Sequence, residues 1–199
     1  MSSLVVGITG ASGIPYSIRL LQYCDLIKKK YSKIFVILTK AAVEVARLEH
    51  GIDLHETIRK LVPRCEIVIF DEGELTSPLM SSSRLVNTDM VIVPASMNTV
   101  AKLANGIQDN LLTRCASSIL RIGGKLVVVI RETPLSTIDL GNLLKLAKAN
   151  AIVLPASPAF YHAPVNIDDM IDFIVGKILD VLGVQHNLYK RWGNIAGDI

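Results

Sequence analysis

Apolar positions along the chain gather in six short runs: Leu4 to Ile8, Ile34 to Leu38, Ile67 to Phe70, Met90 to Val93, Leu126 to Ile130 and Ala151 to Leu154. The runs are rich in Val and Ile and scarcely broken by polar residues. Strands of a parallel sheet covered on both faces read this way. Between them lie stretches with a helical period: about Pro15 to Lys30, Ala41 to Glu49, Asn110 to Arg121, Leu140 to Ala149 and Asp168 to Leu182. Strands alternating with helices predict a doubly wound α/β sandwich. No repeat, low-complexity segment or linker divides the chain, so residues 1–199 are expected to form one domain. The tail, 183–199, carries Tyr189 and Trp192. Alone, it reads as a disordered end or as an arm docked on a neighbour.

Composition narrows this picture modestly. Half of the residues are hydrophobic and mean hydropathy is +0.43. No apolar run approaches the roughly 20 residues that span a bilayer, so buried sheet faces and subunit contacts are the expected use of that surface. A net charge of +3 suits anionic ligands but is too weak to argue for nucleic acid. The run Lys28 to Lys30 reads as the solvated end of the first helix. Cys24, Cys65 and Cys115 are odd in number and widely spaced, which indicates neither a disulfide framework nor a zinc site. The opening MSSLVVGITG lacks a signal-peptide pattern, and a cytoplasmic location is the default expectation.

The candidate chemistry sits where strands end. Gly7-Ile-Thr-Gly10-Ala-Ser-Gly13 joins the first strand to the first helix. Small residues let the backbone approach an anion, and free amides at a helix start favour phosphate. Pro15 fits the first helical position. The spacing is GxxGxxG rather than the GxGxxG of dinucleotide enzymes, and Thr39 stands where a nicotinamide enzyme would want an acid. GxxxxGK[ST] is absent too. A mononucleotide is the better ligand by elimination.

Pro94-Ala-Ser-Met-Asn-Thr99 places Ser96, Asn98 and Thr99 at another strand end, although Ser96 could simply cap the next helix. Asp109 reads as a cap. Arg114 could hold a phosphate or pair with a surface acid. Arg131 and Glu132 follow the fifth strand as a phosphate clamp or a structural ion pair. Phe160-Tyr161-His162 lies in a loop with three prolines, where a phenol could meet an oxyanion or simply pack. None of the four histidines has metal-site spacing, and Asp168-Asp169 reads as a helix-dipole complement.

In order along the chain, GITGASG, TKAA with Glu49 ten residues after Thr39, PASMNT, DNLLTR, VIRETPL, PAFYH and a terminal RW resemble the UbiX/Pad1 family of flavin prenyltransferases. The resemblance covers Gly7 to Trp192, and RETPL with PAFYH is its most distinctive part. It implies a three-layer Rossmann-like (flavodoxin-like) sandwich, mainly parallel with helices on both faces. It further implies that Gly10, Ala11, Ser12, Thr39, Ser96, Met97, Asn98, Thr99 and Arg114 hold FMN. Dimethylallyl phosphate would be held by Arg121, Arg131, Tyr161 and Lys177, with Glu132 orienting the set, Glu49 assisting proton transfer and Trp192 closing the site. Reduced FMN would be prenylated without a metal, and a UbiD-type decarboxylase would receive the product. The family forms large homo-oligomers, with a dodecamer expected here. Asn98 stands where many members carry Lys, Arg121 where Lys is frequent, Lys177 where Arg is frequent, and Pro15 replaces a small or aliphatic residue. Two same-fold alternatives are a cysteine-type decarboxylase, like phosphopantothenoylcysteine decarboxylase, and a non-catalytic FMN carrier. A direct aromatic-acid decarboxylase finds no dedicated pocket in the sequence.

Overall fold

The computed structural model describes residues 2–61 and 65–192. Six strands form one sheet: β1 Ser3–Ile8, β2 Lys33–Leu38, β3 Ile67–Asp71, β4 Thr88–Ala95, β5 Leu126–Ile130 and β6 Ile152–Pro155. Their spatial order is β3-β2-β1-β4-β5-β6, and every neighbouring pair is parallel. This is the doubly wound Rossmann order, whose reversal between β1 and β4 opens a crevice at the carboxyl ends of the strands.

The near-continuous apolar runs follow from alternation across two covered faces. Leu4, Val6, Ile8, Val36, Val91 and Val127 face one core, while Val5, Ile37, Met90, Ile92 and Val128 face the other. The first core is closed by α1 Ile14–Gln22, α2 Cys24–Ile27, α3 Lys40–His50, α4 Leu54–Arg59 and α8 Ile167–Leu182. The second is closed by α5 Met97–Ala104, α6 Leu111–Arg121 and α7 Thr137–Lys148. The expected three-layer Rossmann-like sandwich is present. The edge strand β6 is only partly buried, and among the described residues no strand pairs its outer side.

Local departures from expectation have local causes. The helix expected through Lys30 breaks at Tyr23, whose φ of −88° and ψ of 24° leave helical geometry, and whose hydroxyl donates to Asp172 at 3.0 Å. The lysine run therefore lies past the break. Lys30 Nζ donates to the carbonyl of Leu182, so this cation meets the negative end of α8 rather than of its own helix. Cys24 and Cys65 are joined in a disulfide with Cα atoms 5.9 Å apart, correcting the reading from cysteine spacing. The long loop after β3 contains two 3-10 turns, Pro78–Met80 and Ser82–Arg84. The helix Leu54–Arg59, capped by Asp53, is too short to show a period in the sequence.

Candidate active site

The β1–α1 turn is held by packing before any ligand is considered. A methyl group on Gly10 would stand 2.4 Å from Ala41 Cβ, and Gly13 has φ of +114°. Only glycine meets both demands at low cost. Between them, Ala11 N–H donates to Thr9 O at 2.9 Å. Thr9 ties the two sides of the crevice together: its hydroxyl donates to Pro94 O at 2.8 Å and accepts Ser96 N–H at 2.8 Å. Ser96 caps α5 by accepting Thr99 N–H, and its hydroxyl lies 3.0 Å from that of Thr99. The capping reading of Ser96 therefore holds. The cap leaves the Met97 and Asn98 amides pointing out of the helix start, with exposed Asn98 beside them. The Gly10 and Ser12 amides likewise donate to no protein acceptor among the described residues. Free amides from two strand ends around one crevice fit an anionic mononucleotide.

The neighbouring rim is rigid. Thr39 is buried and caps α3 by accepting Ala42 N–H at 3.1 Å. Glu72 brackets two helix starts: Oε1 accepts Lys40 N–H at 2.9 Å and Oε2 accepts Asn110 Nδ2 at 2.7 Å. Asn110, not Asp109, caps α6, through a capping box with Thr113. Asp109 instead pairs with Lys102, whose hydrogen bond holds its carboxyl below the usual range. Arg114, in the first turns of α6, is exposed and has no acidic partner among the described residues. The phosphate reading of Arg114 is thus the one its surroundings leave open.

The segments after β1 and β5 and the last turn of α3 meet at the expected reacting groups. Ser12 Oγ donates to Glu49 Oε2 at 3.0 Å. Arg131 Nε donates to Ser12 O at 3.2 Å, and Arg131 Nη1 lies 3.9 Å from Glu132 Oε1. Beside this group runs a cleft of about 170 Å³, lined by Ser12, Pro15, Tyr16, His50, Ile167 and Ile171 among others. A second group assembles around α8. Tyr161 meets Trp192 edge-on at 5.3 Å and Phe173 at 5.8 Å. Lys177 Nζ sits 5.2 Å from the Phe173 ring centroid and 5.1 Å from that of Tyr189, within cation–π range. No hydrogen bond, ion pair or ring contact joins the two groups among the described residues.

Arg121 is not brought to either group within one protomer. It ends α6, which starts at the rim, where Leu111 N–H donates to Glu72 O, and finishes beside the opposite end of the sheet, where Gly124 N–H donates to Ile119 O just before β5. Arg131 follows β5 at the other end, roughly 17 Å away along five strand residues. Residues 183–192 of the expected arm fold back on their own chain's α8, and 193–199 lie outside the described residues. Sequence reading missed Thr9, Glu72 and Asp180, whose polar contacts position the site. Thr9 had a signal, since it lies inside GITGASG; the other two had none.

Residues 1–179 match the Flavoprotein family. Flavin prenyltransferase UbiX of Saccharolobus solfataricus is 45% identical over 190 residues, covering 95% of this chain and 91% of that protein. The crystal structure of AnUbiX (PadA1) in complex with FMN and dimethylallyl pyrophosphate superposes with a TM-score of 0.86 at 32% identity, over 96% of this chain and 97% of that one. The dodecameric FMN-dependent Ubix-like decarboxylase from Escherichia coli O157:H7 gives 0.85 at 33% identity, over 96% and 98%. Peptidyl-cysteine decarboxylase EpiD, at 19% identity, shares the fold alone. The amide-lined crevice, the Glu49–Ser12–Arg131 junction and these full-length matches place the chain in the UbiX family of flavin prenyltransferases.

Proposed function

We propose that this protein joins a dimethylallyl group from dimethylallyl phosphate to reduced FMN. The observation that carries the reading is the junction of Glu49, Ser12 and Arg131 across the ends of three separate elements. Reduced flavin supplies the nucleophile, whose central-ring nitrogen takes the allylic carbon as phosphate leaves. The chain's own residues do the rest. Gly10 to Ser12 and Ser96 to Thr99 offer amides and hydroxyls to the mononucleotide, with Arg114 as its phosphate cation. Arg131 and Lys177 neutralise the departing phosphate, and the Tyr161 phenol donates to it. Glu132, beside Arg131, restrains that guanidinium. The faces of Tyr161 and Trp192 shelter positive charge developing on the allylic carbon. Closure of the prenyl group onto the neighbouring aromatic carbon takes up one proton at the prenyl double bond and releases one from the ring carbon, and Glu49 Oε2 with Ser12 Oγ exchanges these two protons.

Arg121 joins this set only if a second copy supplies it, since its own protomer holds it at the far end of the sheet. A homo-oligomer with sites between subunits, dodecameric as in the Escherichia coli relative, provides that copy. No helix among the described residues is long and apolar enough to cross a membrane. We place the protein in the cytoplasm, supplying its product to a UbiD-type decarboxylase. The cysteine-decarboxylase alternative is disfavoured: Cys115 is buried within α6, and burial pushes its thiol up to about 12.

Anaerobic incubation with reduced FMN and dimethylallyl phosphate, followed by mass measurement of the extracted flavin, tests the reading. A flavin heavier by one dimethylallyl unit is expected, and it should be lost in Tyr161→Phe and Glu49→Gln variants that still bind FMN. Unmodified FMN from the wild type with either the mono- or the diphosphate refutes it.

A further inference from the structure

Past α8 the chain reverses. Gly183, with φ of 72°, ends the helix, and the segment that follows runs back along it. Its side chains converge on one carboxylate. Asp180 Oδ1 accepts from His186 Nε2 at 3.1 Å and from Arg191 Nη2 at 2.7 Å. Asp180 Oδ2 accepts from Tyr189 Oη at 2.6 Å and from Arg191 Nη1 at 3.2 Å. Leu188 N–H donates to His186 Nδ1 at 3.2 Å, which puts the neutral ring's proton on Nε2, facing the carboxylate. Gly176 provides the seat: a methyl group there would stand 2.5 Å from Tyr189 Cε1 and 2.7 Å from His186 Cε1. Burial raises the Asp180 carboxyl, but hydrogen bonds from Arg191 and Tyr189 and the charge of Arg191 outweigh it, and the net shift is downward.

We propose that Asp180 is a positioning residue for prenyl transfer, a latch that fixes the returning segment and so sets Trp192 against Tyr161 and Lys177 between its two rings. The path is short. Tyr189, held by Asp180, has its ring 4.8 Å from Phe173 and forms one wall around Lys177 Nζ. Arg191 is gripped by both carboxylate oxygens, a geometry that restricts orientation as well as distance. Trp192 is the next residue, so its indole keeps little freedom beyond its own torsions. Asp180 does not itself meet the reacting groups; it acts through the segment it anchors.

The positioning role rests on the prenyltransferase reading, whereas the latch does not, and one experiment separates them. Trp192 is the single tryptophan of the chain, so time-resolved anisotropy of intrinsic fluorescence reports that indole alone. In the FMN-bound protein, Asp180→Asn should introduce a nanosecond local component and lower kcat/KM for dimethylallyl phosphate on the order of tenfold, the loss of about 1.4 kcal/mol. The FMN Kd should stay unchanged. Asp180→Glu should recover part of both effects. Tyr189→Phe keeps the ring packing but removes one bond, and should give a smaller effect of the same sign even if Asp180→Asn does not fold. An unchanged anisotropy decay in these variants overturns the latch. A freed Trp192 with undiminished transfer overturns the positioning role. A wild type that transfers no prenyl group, with Trp192 freed in the variants, sinks the function and leaves the latch.

Discussion

Gly10 lies where two explanations of a glycine in the β1–α1 turn can be separated by one methyl group. In Gly10→Ala the new Cβ would sit 2.4 Å from Ala41 Cβ, 3.1 Å from Ala41 C and 3.3 Å from Ala41 Cα. The first distance demands a shift of about an ångström between the β1–α1 turn and the start of α3, whose first turn is already fixed by the Thr39 cap and by Glu72. Overpacking of this kind costs about 1–3 kcal/mol. For a chain of this size, about 2 kcal/mol lowers Tm by roughly 4–8 °C. Removing the opposing methyl tests the cause: Gly10→Ala with Ala41→Gly loses the 2.4 Å contact and keeps the two milder ones. Thermal unfolding of wild type, both single variants and the double variant, at one protomer concentration, gives the coupling. A favourable coupling of roughly 1–2 kcal/mol is expected. If Gly10→Ala leaves Tm unchanged, or Ala41→Gly restores nothing, the packing argument is wrong and the glycine serves only ligand approach.

Other expectations follow from the same contacts. Unfolded without reductant, the protein should show one reactive thiol, Cys115, and three after reduction; three before reduction would refute the Cys24–Cys65 bond. On a chain-entropy estimate a loop of this length contributes roughly 4 kcal/mol, so reductant should lower Tm markedly. In the native state Cys115 should resist thiol reagents at neutral pH, because its raised pKa leaves almost no thiolate. Thr9→Val strands the Ser96 amide, while the Pro94 carbonyl keeps the backbone N–H of residue 9, with an expected loss of about 1–3 kcal/mol and weaker FMN binding by titration. Asp180 faces His186, Tyr189 and Arg191, and its native carboxyl is lowered below 3.8. Its stabilising share is therefore complete above that ordinary value and lost as pH falls through the native one. Trp192 anisotropy should be constant down to about pH 4 and gain its fast component only below it.

The layers were legible because they rest on periodicity: Leu126 to Ile130 is apolar at every position since both faces of β5 are covered. Helix ends were less so, because caps are local contests. Asn110 caps α6 while Asp109, one residue earlier, pairs with Lys102. The rim motifs were readable as groups, but not their internal wiring; the meeting of Ser12 with Glu49 joins residues 37 apart. The disulfide escaped because spacing carries no information on which thiols the fold brings together. Asp180 escaped because a single acid in an amphipathic helix looks like a solvated face until the chain returns over it.

The strand order has a consequence for synthesis. β1 is central, yet its partner on one side is β4, and β4 is not complete until Ala95. A chain emerging from the ribosome can lay β2 against β1 and β3 against β2 early, while the other edge of β1 stays open and apolar. At about 5–20 residues per second that edge waits on the order of seconds. During that interval the nascent chain is exposed to edge-to-edge pairing with its own copies, and slowing translation between β3 and β4 should raise the insoluble fraction more than slowing it after β5.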